Sequence, residues 1–509
     1  MTITQCILLA VLTSCASAQP FVHSITEPGD QYEAANDLAV LTSQDIAFVG
    51  RFRRDFKLPG QDGWIVVHRP NGIPFLSWII EDPDKEGNPL VATFEDPVDK
   101  NLIVLEGGLI SSFPNDVADL VLFKIDPFSG ALSYQWRYPG YDSGIPIGME
   151  RDGDTGLVAA SLLNSPGITQ ATLLRFRNAD GLPIFHNRYL PLDEQIFSTA
   201  FYDVAISPES GDIFAVGIAK IDSDQFSVFA KILIARFDPV GNPIWFSLYE
   251  PVVQGTNTTN AFGYSIAINS ENNPFVVSTV SSSLTSSLVV PLVVDGNTGA
   301  PIVSSSLQIE NHSVVSAASS LEQLPNGDML TGGAWTDPMF FSASASLWSF
   351  DELTAQLQWD YTREDQFGRT STVMPDPNGG LLFAGYGIPT TAPVGFEDAL
   401  LTRTGNNGNG LCERVTEFRS PEVSFIRVPF QVKPIALQEP NNAGIEAIAG
   451  TPVLTVNCEV CRPDLNMDGS LDFFDISFLL MNMVDYNGDT VFDFFDISAY
   501  LMDFSAGCP

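Results

Sequence analysis

Two stretches near the end of the chain carry its most specific chemistry: "DLNMDGSLDFFDIS" and, beginning twenty-one residues later, "DYNGDTVFDFFDIS". Counted from Asp464, the first places side-chain oxygens at positions 1, 3, 5, 9 and 12, from Asp464, Asn466, Asp468, Asp472 and Asp475. Gly469 stands at position 6, where a loop round one ion turns sharply, and Ser470 at 7 offers its backbone carbonyl. The second copy repeats the pattern with Asp485, Asn487, Asp489, Asp493 and Asp496, and with Val491 at the carbonyl position. Calcium takes about six to eight hard oxygen ligands, and this spacing wraps them round a single cation, so two calcium ions are expected. The second loop has Thr490 where the first has its turn glycine, and both have Asp at position 12, a short carboxylate that must come closer to chelate with both oxygens.

No comparable constellation for catalysis is legible elsewhere. The four histidines, His23, His68, His186 and His312, are scattered, and no HExxH, GxSxG or Gly-rich phosphate loop accompanies them. Carboxylates are too many for a catalytic pair to stand out, so no catalytic residue is assigned. Beyond the first twenty residues the cysteines are Cys412, Cys458, Cys461 and Cys508, an even number that in an exported chain points to disulfides with three possible pairings. Cys458-Glu-Val-Cys461 also has redox or zinc spacing, but no second CxxC or His pair joins it.

The elements that must present the calcium loops are short. "ISFLLMNM" and "ISAYLMDF" follow the loops and suit helices of two turns. The bulk of the chain reads differently, with β-branched and aromatic runs punctuated by turns such as "SPESGD", "LPNGD" and "DPNGG". Aligning those turns yields seven units at a spacing of about 50 to 60 residues, each with roughly four strands. The clearest is "DVAISPESGDIFAVGIAK" with "KILIARFDPVGNPIWFSLY"; others begin near residues 37, 89, 145, 262, 316 and 371. One four-stranded sheet cannot bury both apolar faces; a ring of such sheets can, which predicts a mainly β chain with a β-propeller of about seven blades over 19–411. The repeated Trp78, Trp136, Trp245 and Trp359 then serve as packing anchors on outer strands. The seventh unit lacks an outer strand, and Phe21–Thr26 is expected to supply it, so that one blade joins the two ends of the ring. The β-rich segment between Cys412 and Cys458 reads as a small extension (412–460) beside the last blade, tied by a Cys412–Cys458 bridge that would contribute about 4 kcal/mol on the chain-entropy model.

Two resemblances sharpen this picture. The units resemble bacterial repeats of the pattern "D-x-A-V…G-x-x-Y-V-x-G…D-A-F-V-x-K-L-D…G…W", found in secreted β-propeller proteins. Residues 461–509 resemble a dockerin domain. "CRPDLN" at the start, "DFFDIS" in each copy and "AGCP" at the end look like the GC-type dockerins that end many secreted planctomycete proteins. That resemblance implies a Cys461–Cys508 clamp and a cohesin-like or cell-surface partner. The contacts would be Phe473, Phe474, Ser477, Phe494, Phe495 and Ser498, with one Phe of each pair equally suited to the core of so small a module.

The first eighteen residues read as a secretory signal ending in Ala16-Ser17-Ala18, although Leu12-Thr13-Ser14-Cys15 also resembles a lipobox that would place a lipid on Cys15. No later run is long and apolar enough for a membrane helix. A net charge of −37 opposes nucleic-acid phosphates. The sequence therefore favours a secreted, non-catalytic binding or scaffold propeller displayed by a calcium-dependent dockerin. The alternative is an extracellular polysaccharide-degrading enzyme, hydrolase or lyase, delivered by that module, with polysaccharide the candidate ligand in either case.

Overall fold

A computed structural model of the chain describes residues 21–26 and most of 33–456, the longest segments left out being 53–61, 82–88, 108–116, 143–147, 254–259, 338–341, 390–397 and 405–412. In the C-terminal tail it describes Ile476, Ile497, Ser498, Tyr500 and Leu501.

Seven blades, each of four antiparallel strands, form a β-propeller, with blades 2 and 3 joined where Leu162 lies opposite Tyr141. The innermost strands are Glu33–Val40, Leu90–Glu95, Gly148–Asp152, Ile196–Ile206, Asn260–Ile268, Ser313–Gln323 and Gln366–Pro375, for blades 1 to 7 in turn. Apolar clusters fill the gaps between neighbouring blades; that between blades 3 and 4, for example, holds Leu173, Tyr189, Phe201, Leu233 and Phe237. Each sheet thus buries both faces, which is why these strands are apolar on both sides rather than alternating. The ring closes as the sequence requires: Phe21–Thr26 pairs antiparallel with Asp398–Thr404, Phe21 opposite Arg403 and Ile25 opposite Ala399.

The tryptophans hold blade to blade. Trp78, Trp136 and Trp245 each donate their indole N–H to a turn carbonyl of the next blade, at Pro127, Asp180 and Gly296. Trp359 packs against the cluster of Leu347 and Val373. A tyrosine further along the outer strand, two residues beyond Trp136 and four beyond Trp245, does the same work: the hydroxyls of Tyr138, Tyr189 and Tyr249 donate to Gly181, Gly241 and Gly299 of the following blade. Blade 3, which lacks the tryptophan, keeps this tyrosine. Four basic residues at the ends of third strands act likewise. Lys124, Arg175, Arg236 and Arg403 each pair with a carboxylate of their own blade's first turn (Asp96, Asp152, Asp212 and Asp376). Each also donates to the next blade, at the carbonyls of Asn178, Pro239, Gly296 and Pro70.

The glycine that ends many second strands has a steric origin. The innermost strands of blades 1 and 4 bulge between Ala35 and Asp37 and between Phe201 and Asp203. A Cβ on Gly50 or Gly217 would stand 1.9 or 2.0 Å from the carbonyl oxygen of Ala34 or Ala200 beside the bulge. In blade 5, where the second strand carries Ser278, the residue opposite is itself a glycine, Gly263. Gly217→Ala is therefore expected to cost about 1–3 kcal/mol through forced backbone movement, read as a fall in the thermal unfolding midpoint.

The segment expected beside the last blade lies elsewhere. Its strands run backwards round the whole ring. Glu413–Arg414 pairs with the outer strand of blade 6, Phe418–Arg419 with Gln308–Ile309 of blade 5, and Val423–Phe430 with blade 4. Val432–Ala436 then pairs with blade 3, Asn441–Asn442 with blade 2, Glu446–Ala449 with blade 1, and Val453–Val456 with Phe21–Thr26 of blade 7. The reason is the fold itself: a propeller leaves seven outer edges with unpaired backbone groups, and this belt pairs along part of each. The Cys412–Cys458 and Cys461–Cys508 bridges fall outside the described residues.

Candidate functional site

The innermost strands surround an axial channel that encloses about 330 Å³. Two rings of side chains follow from counting back from the first residue of each blade's first turn. Four residues back stand Asp37, Ala92, Gly148, Asp203, Ser265, Ser320 and Thr372; two residues back stand Ala39, Phe94, Glu150, Ala205, Ala267, Glu322 and Met374. Carboxylates thus enter from blades 1, 3, 4 and 6, and all four line the channel.

The two rings differ in how their acids are held. In the first, Asp37 accepts hydrogen bonds from the Thr93 amide (2.8 Å) of blade 2 and the Thr372 hydroxyl (2.9 Å) of blade 7. Asp203 accepts from the Val204 amide (2.8 Å) and from the Ile266 amide (2.9 Å) of blade 5. These aspartates tie inner strands of adjacent blades, and the bulges that Gly50 and Gly217 admit are what aim them there. In the second ring Glu150 opens to channel water and Glu322 is half-buried. Glu150 stands beside the exposed Arg151, and both also line a second cavity of about 450 Å³ with Asp152, Ser207 and Pro208, where the channel meets the face of short turns.

Burial and mutual repulsion raise the affinity of these acids for protons. Burial lifts Asp37 to about 6 against its hydrogen bonds to Thr93 and Thr372. Partial loss of hydration within the channel raises Glu150 to about 7, with Arg151 opposing and Asp152 and Asp37 adding to the rise. Glu322 rises to about 8, through burial and then the charges of Glu150, Asp37 and Asp203. Asp203 is pushed well up by burial, against its two amide donors. Near neutral pH the channel therefore holds protons on some of its carboxylates. Glu150 and Glu322, set on blades 3 and 6, have the chemistry of a proton donor and a proton acceptor.

No His or Cys joins them among the described residues of the channel, and the Ser320 hydroxyl that lines it accepts from the Val373 amide (2.8 Å). His68 lies buried with Nδ1 3.0 Å from the Gly72 carbonyl oxygen, and His186 is packed edge-on against Tyr138. No cluster of three or more His, Cys, Asp or Glu side chains that could hold a metal occurs among the described residues.

The sequence did not single out this channel. Its signal was present in the repeat, since Asp37 and Asp203 are the Asp of "DLAV" and "DVAI", but the glutamates sit where other blades have Ala, Phe or Met. Of the residues that the sequence nominates for calcium and for partner contact, only Ser498 falls within the described residues, and it is helical and half-buried. The loops of Asp464–Asp475 and Asp485–Asp496 lie outside them.

No protein-family model matches the chain, and no curated protein matches it in sequence. Among solved structures it is similar to a protein of unknown function from Dyadobacter fermentans, at 12% identity and TM-score 0.42, over 75% of this chain and 98% of that one. It is also similar to an endo-arabinase from Bacteroides thetaiotaomicron (12%, TM-score 0.31, 52% and 95%). A third is the hydrazine synthase of Kuenenia stuttgartiensis (10%, TM-score 0.33, 63% and 95%). Likenesses this distant carry no functional argument; the seven-bladed propeller rests on the strand pairing.

Proposed function

We propose that this protein is an exported, non-catalytic β-propeller scaffold held to a cohesin-like or cell-surface partner by a calcium-dependent dockerin module at residues 461–509. The observation that carries the reading is the double calcium spacing, Asp464 to Asp475 and Asp485 to Asp496, kept in register through every ligand position. The donor set consists of hard oxygens throughout, which suits calcium and disfavours softer metals. Two further features support it. The described residues that follow the loops, Ile476 after the first and Ile497, Ser498, Tyr500 and Leu501 after the second, are helical. Tyr500 is fully buried, as the core of a small paired loop–helix unit needs. The propeller contributes a rigid body; with Asp37 and Asp203 committed to the backbone of neighbouring strands, its channel acids serve first to join blades.

Titration of the full chain with calcium tests this reading. Two ions per chain are expected, and Asp475→Ala and Asp496→Ala should each remove one, while EDTA releases the chain from its partner. Failure to bind calcium at micromolar to millimolar concentration, the range of sensor and extracellular sites, would overturn it.

A second reading, an extracellular polysaccharide-degrading enzyme, draws on one observation: Glu150 and Glu322 face one channel with raised proton affinity. It requires turnover of a polysaccharide that Glu150→Gln or Glu322→Gln abolishes.

A further inference from the structure

The belt is seated unevenly. Blade 4 holds it by eight register pairs, Phe246 opposite Phe430 through Val253 opposite Val423, and blade 3 by five. Among the described residues blades 1 and 7 hold four pairs each, and blades 2, 5 and 6 two each. Side chains follow the same gradient. At blade 4 Phe430 packs edge-on against Phe246 at 5.5 Å, and the Arg427 guanidinium donates to the Ser247 hydroxyl (2.8 Å) while lying over the Trp245 ring. Val423 and Phe425 enter the cluster between blades 4 and 5, and Val432 that between blades 3 and 4. On the way to the tail, among the described residues, Leu437, the buried Ile445 and Ala447 also enter clusters.

Ring closure does not depend on the belt. The pairing of Phe21–Thr26 with Asp398–Thr404 lies on the inner side of that strand, whereas the belt uses its outer edge, His23 to Thr26 opposite Val456 to Val453. Val456 is the last described residue before the tail.

We propose that the belt is a strap that peels from its tail end, blade 7 first, then blades 1 and 2, and stops at the seat on blades 3 and 4, lengthening the tether while the ring stays closed. Release as far as Leu437 frees about 20 residues, or about 70 Å when drawn out. Pull applied through the tail is then met by serial loss of short pairings instead of by opening of the propeller. This use of the strap rests on the anchoring reading above; the strap itself does not.

Hydrogen exchange of the full chain, read by peptide, tests it without any partner. Amides of 446–456 should exchange about tenfold or more faster than those of 423–436, and Asp398–Thr404 should stay as protected as the blade cores. Combined Arg427→Ala and Phe430→Ala should abolish most of the difference by speeding 423–430, with Asp398–Thr404 unchanged. In single-molecule pulling between the C-terminus and a cysteine placed at Val98, an extension of about 35–70 Å should precede unfolding of the blades. Uniform exchange along 423–456, or loss of protection in Asp398–Thr404 together with 453–456, would overturn the proposal. A chain that shows the gradient but binds no calcium keeps the strap and loses the anchoring reading; a chain that binds two ions with a uniform belt does the reverse.

Discussion

Replacing Arg403 with alanine should cost about 3–5 kcal/mol. Arg403 and Asp376 are 2% and 1% exposed and form an ion pair within blade 7, and the same guanidinium donates to the Pro70 carbonyl of blade 1. It therefore spans the junction where the ends of the ring meet. Burial draws its pKa down and the Asp376 charge opposes that fall, so the pair is held by mutual compensation in a site that water does not reach. Removing the cation strands a carboxylate there, and that desolvated charge, more than the lost attraction, sets the cost. Urea unfolding should show the lower midpoint, and exchange should rise first in Phe21–Thr26 and Asp398–Thr404. Combined Arg403→Met and Asp376→Leu removes both charges and should recover most of the loss. Arg175, whose partner Asp152 is 36% exposed, provides the contrast: Arg175→Ala should cost about 1 kcal/mol or less. Equal costs at the two positions would refute the desolvation argument.

The same comparison explains what could be read from the chain and what could not. The propeller was legible because its period is enforced locally: every blade needs its turns and its apolar strands, and blades 1, 4 and 7 add a second-strand glycine beside the bulge. The closing strand was legible because "PFVHSITEP" matched a gap in the seventh unit. The course of 413–456 was not. Its runs "VSFIRVPF", "VKPIA", "EAIA" and "VLTV" read as strands of one small unit, and nothing local says that each pairs with a different blade. That choice is made by seven unsatisfied edges, a property of the finished ring. The basic clasps are hidden for the same reason, since Lys124, Arg175, Arg236 and Arg403 look alike in sequence but differ in burial. The channel acids needed register as well as sequence: Glu150 and Glu322 share one level only after the turns are superposed.

That shared level has a consequence for pH. Carboxylates whose folded pKa is raised bind protons more tightly in the folded chain than in the unfolded one, so they favour folding at low pH. The benefit is lost as pH rises from the unfolded value, about 4, through the folded one. For Asp37, Glu150 and Glu322 the folded values are about 6, 7 and 8, so stability should fall between about pH 4.5 and 8. The turn aspartates act in the opposite sense. Asp295 and Asp351 are held below the usual carboxylate range chiefly by Thr298 and Thr354, and Asp180 by Arg177. Their contribution is present above pH 4 and lost below it. The two sets together place the most stable state on the acid side of neutrality. Glu150→Gln with Glu322→Gln should therefore raise the unfolding midpoint at pH 8.5 and leave it unchanged at pH 4.5. The channel's other charged groups, Asp37, Asp203, Arg151 and Glu95, remain in place. Because Glu150 opens to water and is screened, the gain at pH 8.5 is expected to be about 1 kcal/mol, or about 1 °C for a ring of this size, and to shrink in high salt. A double variant less stable than the parent at pH 8.5 would mean that the glutamates are held charged by partners in the channel instead of being crowded there.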